Sequence, residues 1–425
     1  MDKQVYLNFV NILKEELVPA TGCTEPISVA YAAALARDTL GAIPENVEIS
    51  VSGNILKNVK SVVVPNTGGL KGVASAAAAG IIAGNAKGEL QVISSVTEND
   101  LEEIANYLKV AKFSVSSSNS GCIFDIAVKC LKDGSYATVR IAGHHTNVVH
   151  IEKDGEIILD KTVVTAEAAL TDRSFLSVEK IIEFADVVEI ADVENIICRQ
   201  AEYNGAIAAE GLKNDYGARV GKVLLKAFGN DVHNRAKATA AAGSDARMNG
   251  CCLPVIIVSG SGNQGMTASL PVMVYAEHLK VPKEKLIRAL VVSDLVTIHL
   301  KSGIGRLSAY CGAVSAGCGA AAGVCYLYGG GYDEISGTIV NALAIDSGVI
   351  CDGAKSSCAA KIASAVEAGL MGFEMTRNGS GFCCGDGILG DCVECTIDNV
   401  GDLARIGMRD TDEEIIRLMI KPNKK

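Results

Sequence analysis

The sequence contains no tryptophan, only eight phenylalanines and six histidines, and aromatic residues make up 4% of it. Basic blocks are missing too. Apart from the Lys421–Lys425 tail no run of like positive charge occurs, and the formal net charge is −10. An acidic chain without basic patches is repelled by phosphate backbones and anionic headgroups, so neither nucleic acid nor an anionic membrane is an expected partner. Small molecules remain open. Three familiar catalytic motifs are also absent: the P-loop, H-E-x-x-H and G-x-S-x-G. The opening "MDKQVYLNFVNILKEEL" mixes acids and bases and lacks the charged-then-apolar layout of a signal peptide, so a cytoplasmic protein is expected.

Alanine and glycine are abundant instead, and small side chains suit closely packed helices. The uncharged stretch from Leu307 to Tyr332 is long enough to span a bilayer, but it is mostly Gly, Ala, Ser and Cys. A buried helix of a soluble core is the expectation. Fifteen cysteines are many for a cytosolic chain, and the odd count argues against a disulfide framework. Cysteines beyond the buried structural ones then point to metal or catalysis.

The chain changes texture along its length. Residues near 3–17 and 26–41 carry helical patterns, the second opening at Pro26. "NVEISVSG" and "KSVVVP" are β-branched and strand-like, and "LKGVASAAAAGIIAG" and "ENDLEEIANYLKVA" are helical. "FSVSS", "CIFDIAVKC", "YATVRIAG", "NVVHIEKDG" and "EIIL" follow as strands punctuated by Asp-Gly turns. Beyond that point strand patterns nearly vanish. The expected fold class is α+β: a large, mostly helical catalytic domain from residues 1–43 and 165–425, with a smaller α+β domain inserted at 44–164.

Several constellations carry chemistry. If Thr24 caps the helix that follows, Cys23 lies one residue outside its N-terminus, where unpaired N–H groups favour an anion and a reactive thiolate. Glu25 opposes this ionisation, and a buried structural cysteine is the plain alternative. Gly260, Gly262 and Gly265 spell G-x-G-x-x-G between a strand-like and a helix-like run. The acidic second strand of a dinucleotide fold does not follow, and Pro271 is expected to interrupt the helix early. A loop at a helix start that offers backbone N–H groups to an anion survives, with Ser259, Ser261, Gly262 and Asn263 to grip a carboxylate.

Cys311, Cys318 and Cys325 recur every seven residues, which packing alone explains for at least two of them. Cys351 and Cys358 flank "DGAKSS", where a turn lets both thiols face one pocket. Cys383, Cys384, Cys392 and Cys395 resemble a zinc site, although the vicinal pair departs from the doubled C-x-x-C pattern. His144 and His145 of "GHHTNVVH" read as turn and surface residues, with a polar substrate contact from His145, Thr146 or Asn147 left open.

Five ordered segments together resemble one family: "VPATGCTEPISVAYAAA", "VPNTGGLKG", "SGSGNQGMTASLPV", "IGRLSAYCG" and "ICDGAKSSCAAKIASAV". They are similar to the L-cysteine desulfidases, relatives of the catalytic chain of iron–sulfur L-serine dehydratases, over almost the whole chain. The resemblance implies a [4Fe–4S] cluster held by Cys311, Cys351 and Cys358, with Cys23 as the base that takes the α-proton. It implies conversion of L-cysteine and water to pyruvate, ammonia and sulfide, with L-serine as the alternative substrate. A homo-oligomer is compatible with this reading.

Rival readings are a nucleotide-dependent oxidoreductase using Gly260–Gly265, a pyridoxal-phosphate lyase using Lys355, and a metal- or membrane-binding structural protein. The inserted module is expected to close over the active site or to bind a regulatory amino acid.

Overall fold

The computed structural model describes residues 1–118, 120–163, 170–305 and 308–420. The expected domain boundary at 164/165, Arg306 and Leu307 of "IGRLSAYCG", and the Lys421–Lys425 tail lie outside these.

The first part of the chain runs α1 (Lys3–Glu16), β1 (Pro19–Thr21), α2 (Thr24–Leu40), β2 (Asn46–Val51), α3 (Gly53–Val59), α4 (Val73–Ala83) and α5 (Glu98–Val110). Strands β3 (Lys112–Ser117), β4 (Asp125–Lys132), β5 (Ser135–Ala142), β6 (Val148–Lys153) and β7 (Glu156–Asp160) follow. Then come α6 (Val178–Val187), α7 (Ile190–Lys213), α8 (Val220–Phe228), α9 (Val232–Met248), β8 (Pro254–Ile256), α10 (Gly262–Leu279) and α11 (Lys283–Ile304). The chain finishes with α12 (Gly312–Leu327), α13 (Tyr332–Ile345), α14 (Cys358–Arg377), α15 (Val393–Asp402) and α16 (Arg409–Ile420). The fold is α+β and mostly helical, as the patterns indicate.

Six strands form one mixed sheet in the order β3-β2-β4-β5-β6-β7, parallel only between β2 and β3. Its alternation buries Ile126, Val128 and Cys130 of β4 and Ala137, Val139 and Ile141 of β5 on the face covered by helices. Asp133-Gly134 and Asp154-Gly155 make the two-residue hairpin turns, all four residues at positive φ. Helix α2 packs on this sheet with α4, so residues 24–40 share the smaller core. The sequence pattern grouped residues 1–43 with the helical part. The difference arises because α2 is apolar nearly all round, and periodicity does not say which neighbour it covers.

The larger core is helical and surrounds α12, whose Gly/Ala composition permits close approach. A Cβ on Gly317 would stand 2.4 Å from the Ala365 carbonyl oxygen of α14, so only glycine fits there. Among the described residues no helix is long and apolar enough to cross a membrane.

Two local expectations change. The "KSVVVP" run is a buried loop carrying one isolated bridge, Val63 to Lys71, because its valines pack without a neighbouring strand. Pro271 does not interrupt α10, which continues to Leu279. Buried packing against α9 and α12 outweighs the local cost of proline.

Candidate active site

A short two-stranded sheet builds one wall. β1 pairs antiparallel with β8, Pro19 opposite Ile256, which brings the "TGCTEP" turn beside the Ser259–Gly262 loop. Gly265 sits where a Cβ would lie 2.0 Å from the Ile256 carbonyl oxygen, so α10 starts tight against β8. The opposite wall is set by an isolated bridge between Tyr310 and Ile350. The Cys311 N–H donates to the Val349 carbonyl at 2.9 Å and the Cys351 N–H to the Ala309 carbonyl at 2.6 Å. Cys311 caps α12, and Cys358 is the first residue of α14 after the Asp352–Ser357 turn.

These pieces enclose a cavity of about 120 Å³ lined by Cys23, Cys311, Cys351 and Cys358 together with Ser259, Ser261 and Asn263. That is well below the roughly 300–1,000 Å³ of pockets for drug-sized ligands, so its occupant is small. Gly260 lines it too, and Gly262 makes room for a guanidinium: a Cβ there would stand 2.5 Å from Arg247 Nε.

Arg247, which the sequence reading missed, is buried and lines the cavity. It donates to the Gly22 carbonyl at 2.7 Å and to Asn263 Oδ1 at 3.3 Å. Its Nε, Gln264 Oε1 and the Tyr310 hydroxyl are buried without a hydrogen-bond partner among the described residues. Unpaired buried polar atoms are costly, so three of them on residues that line one cavity favour a polar ligand there.

Cys23 is itself the N-cap of α2, with Thr24 the first helical residue. The surroundings oppose the expected thiolate. Its Sγ donates to Glu25 Oε2 at 3.0 Å, and burial, followed by the Glu25 charge, pushes it well above the ordinary thiol value. Helix-terminus stabilisation is outweighed by desolvation and a carboxylate at contact distance. Glu25 also accepts from Thr24 Oγ1 at 3.2 Å and Asn58 Nδ2 at 3.0 Å. Burial works to raise the Glu25 carboxyl, but His145, the Cys23 thiol and Arg247 hold it below the ordinary value. His145, read from sequence as a turn residue, therefore acts electrostatically on this site; its ring also packs 4.8 Å from Phe124.

Two lysines line the cavity together with the other three thiols. Lys57 donates to Asp412 Oδ1 at 2.5 Å and lines the cavity. Lys301 is buried, and burial lowers its ammonium to about 8 against Cys351 and Cys311, which raise it. The Cys311–Cys351 hydrogen bond holds Cys311 above the ordinary thiol value and Cys351 below it, with Lys57 and Lys301 adding to the lowering. Among the described residues no three His, Cys, Asp or Glu are spaced for a single metal ion. Three convergent thiols with two buried ammonium groups suit an anionic iron–sulfur centre by donor type and charge.

The remaining motifs fall elsewhere. Cys318 and Cys325 are buried in α12 as packing residues. Cys383, Cys384, Cys392 and Cys395 are exposed and do not line the cavity. The G-x-G-x-x-G loop leads into α10 and then α11, and among the described residues no parallel strand follows it, which is not the dinucleotide fold. Lys355, the Schiff-base candidate, is tied to Asp352 Oδ1 at 2.5 Å and is not among the residues that line the cavity.

Fold and site together define an α+β protein of the serine dehydratase alpha chain type. A family model of that description matches residues 87–417. This range holds Cys311, Cys351 and Cys358 and stops short of Cys23. A domain of this type points to amino-acid dehydratase or lyase chemistry, and its family is iron–sulfur dependent in general.

Similar proteins extend over the whole chain. A UPF0597 protein of Desulfitobacterium hafniense is 59% identical, covering 98% of this chain and 97% of its own. Another, from Lachnoclostridium phytofermentans, is 50% identical over 98% of this chain and 100% of its own. A third, from Treponema denticola, is 47% identical over 99% of both. The chain belongs to the UPF0597 family.

Proposed function

We propose that this protein is an iron–sulfur-dependent lyase that converts L-cysteine and water to pyruvate, ammonia and sulfide. The observation that carries the reading is the meeting of Cys311, Cys351 and Cys358 with Cys23 and Arg247 on one small cavity. Cys311, Cys351 and Cys358 would hold a [4Fe–4S] cluster. With three protein thiolates the bound cluster supplies one open iron as a Lewis acid for the group leaving Cβ.

The chain's own residues supply the rest. Arg247 and the N-terminal turn of α10, with Ser259, Ser261, Gly262 and Asn263, bind the substrate carboxylate. Lys57 and Lys301 offset the negative charge of the thiolates. Glu25 accepts the Cys23 proton, and the thiolate so formed takes the proton from the substrate Cα. The Cα–H electron pair forms the Cα–Cβ double bond as the β-sulfur departs. The resulting enamine tautomerises to an imine, which water hydrolyses to pyruvate and ammonia.

The serine dehydratase description of the family model favours a second reading, loss of water from L-serine on the same groups. Iron's preference for sulfur supports cysteine.

The test is anaerobic reconstitution of single variants. Cys311→Ser, Cys351→Ser and Cys358→Ser are expected to lose iron and turnover together. Cys23→Ser is expected to keep iron and lose turnover. Iron retained in all three cluster variants would overturn the reading.

A further inference from the structure

The exposed cysteines near the C-terminus serve no part of the reaction above, and one pair of them has an organisation of its own. Cys392 is the N-cap of the ten-residue helix α15, and Cys395 stands three residues on, a C-x-x-C spacing. The Cys395 N–H donates to Cys392 Sγ at 3.1 Å, and the two thiols are hydrogen-bonded to each other. Both are exposed.

The turn between them is held in place. Glu394 accepts from the Val178 N–H at 2.7 Å and pairs with His299 Nε2 at 2.6 Å. Gly390 backs onto Cys395 so closely that a Cβ there would stand 2.5 Å from the Cys395 Cβ. The neighbouring Cys384 is engaged differently, donating to Asp391 Oδ1 at 2.5 Å. Among the described residues no three of these groups are placed for a metal ion.

We propose that Cys392 and Cys395 form a redox-active dithiol that exchanges with low-molecular-weight disulfides. Cys392, the N-terminal member of the pair, receives the Cys395 N–H and is the exposed thiol placed to attack first. Cys392 Sγ attacks one sulfur of the disulfide RSSR; the S–S bond breaks and one thiolate leaves, taking up the proton that Cys392 lost. Cys395, deprotonated in turn, attacks Cys392 Sγ in the mixed disulfide and releases the second thiol. The protein is oxidised by two electrons to the Cys392–Cys395 disulfide, and RSSR is reduced to two RSH. The site is independent of the lyase reading.

The experiment uses the full-length protein, reduced, desalted without oxygen and exposed to hydroxyethyl disulfide. Remaining thiols are alkylated and peptides mapped by mass spectrometry. The expected product is a Cys392–Cys395 bond with two mercaptoethanol molecules released for each. In Cys395→Ser the expected product is a mercaptoethanol adduct at Cys392, forming on the order of tenfold faster than at the exposed Cys252. Bonding of Cys395 to Cys384, persistence of both thiols, or an adduct at Cys392 no faster than at Cys252 would each overturn the proposal.

Discussion

The Cys23 thiol donates a 3.0 Å hydrogen bond to Glu25 Oε2, and both residues are buried. A protonated thiol cannot abstract a proton, so the carboxylate beside it is what gives Cys23 a route to its anion. Glu25→Gln removes that route while keeping size and hydrogen-bonding capacity. The expected result is a fall in kcat of roughly 100-fold or more, KM within a few-fold, and unchanged iron content. Steady-state kinetics with iron analysis checks this; an unchanged kcat removes Glu25 from the proton path.

Arg247 lines the cavity with its Nε unpaired among the described residues, while its other nitrogens hold the Gly22 turn and Asn263 at the start of α10. Arg247→Lys keeps the charge and loses the planar fork. KM for the amino acid is expected to rise about 10- to 100-fold, as for the loss of a charge-assisted hydrogen bond. A rise in KM with a kcat changed less than threefold or so is the readout.

Gly265 lies against the Ile256 carbonyl at a distance that leaves no space for a methyl group. Gly265→Ala is expected to destabilise the fold by about 1–3 kcal/mol or more, because α10 must move off β8. Gly348→Ala, where an added Cβ meets nothing within 4 Å, is the neutral control. Thermal unfolding of the two variants side by side decides it.

Asp294 is fully buried on α11 and accepts a 2.8 Å hydrogen bond from Gln200. Burial pushes its carboxyl up to about 7. The unfolded chain ionises this group near pH 4, whereas the folded chain keeps it protonated to about pH 7. The folded state therefore binds the extra proton between these values. Its contribution to stability is full below about pH 4 and falls as pH rises to about 7. Asp294→Asn should flatten that decline, with the larger gain in Tm at pH 7 than at pH 4. Equal Tm changes at both values would contradict the assignment.

Much of the fold was legible because its signals are local. Period-two alternation and the Asp133-Gly134 and Asp154-Gly155 turns mark β4–β7, and apolar spacing marks α1 and α5. What stayed hidden depends on distance in sequence. Nothing near Arg247 announces that α9 ends against the Gly22 turn, and nothing near His145 announces an effect on Glu25. Cys23 shows the limit most clearly. Its position at a helix start was readable, but its protonation depends on how deeply the site is buried, which no local pattern reports. The pairing of Cys311 with Cys351 likewise rests on the Tyr310–Ile350 bridge, a contact between segments forty residues apart.

The central claim is tested by purifying the protein without oxygen, quantifying iron and acid-labile sulfide, and assaying L-cysteine and L-serine with the same sample. The account predicts about four irons and four sulfides per chain, with pyruvate and sulfide released in equal amounts from L-cysteine. A reconstituted protein with no iron, or a loaded one that releases pyruvate from neither amino acid, would contradict it.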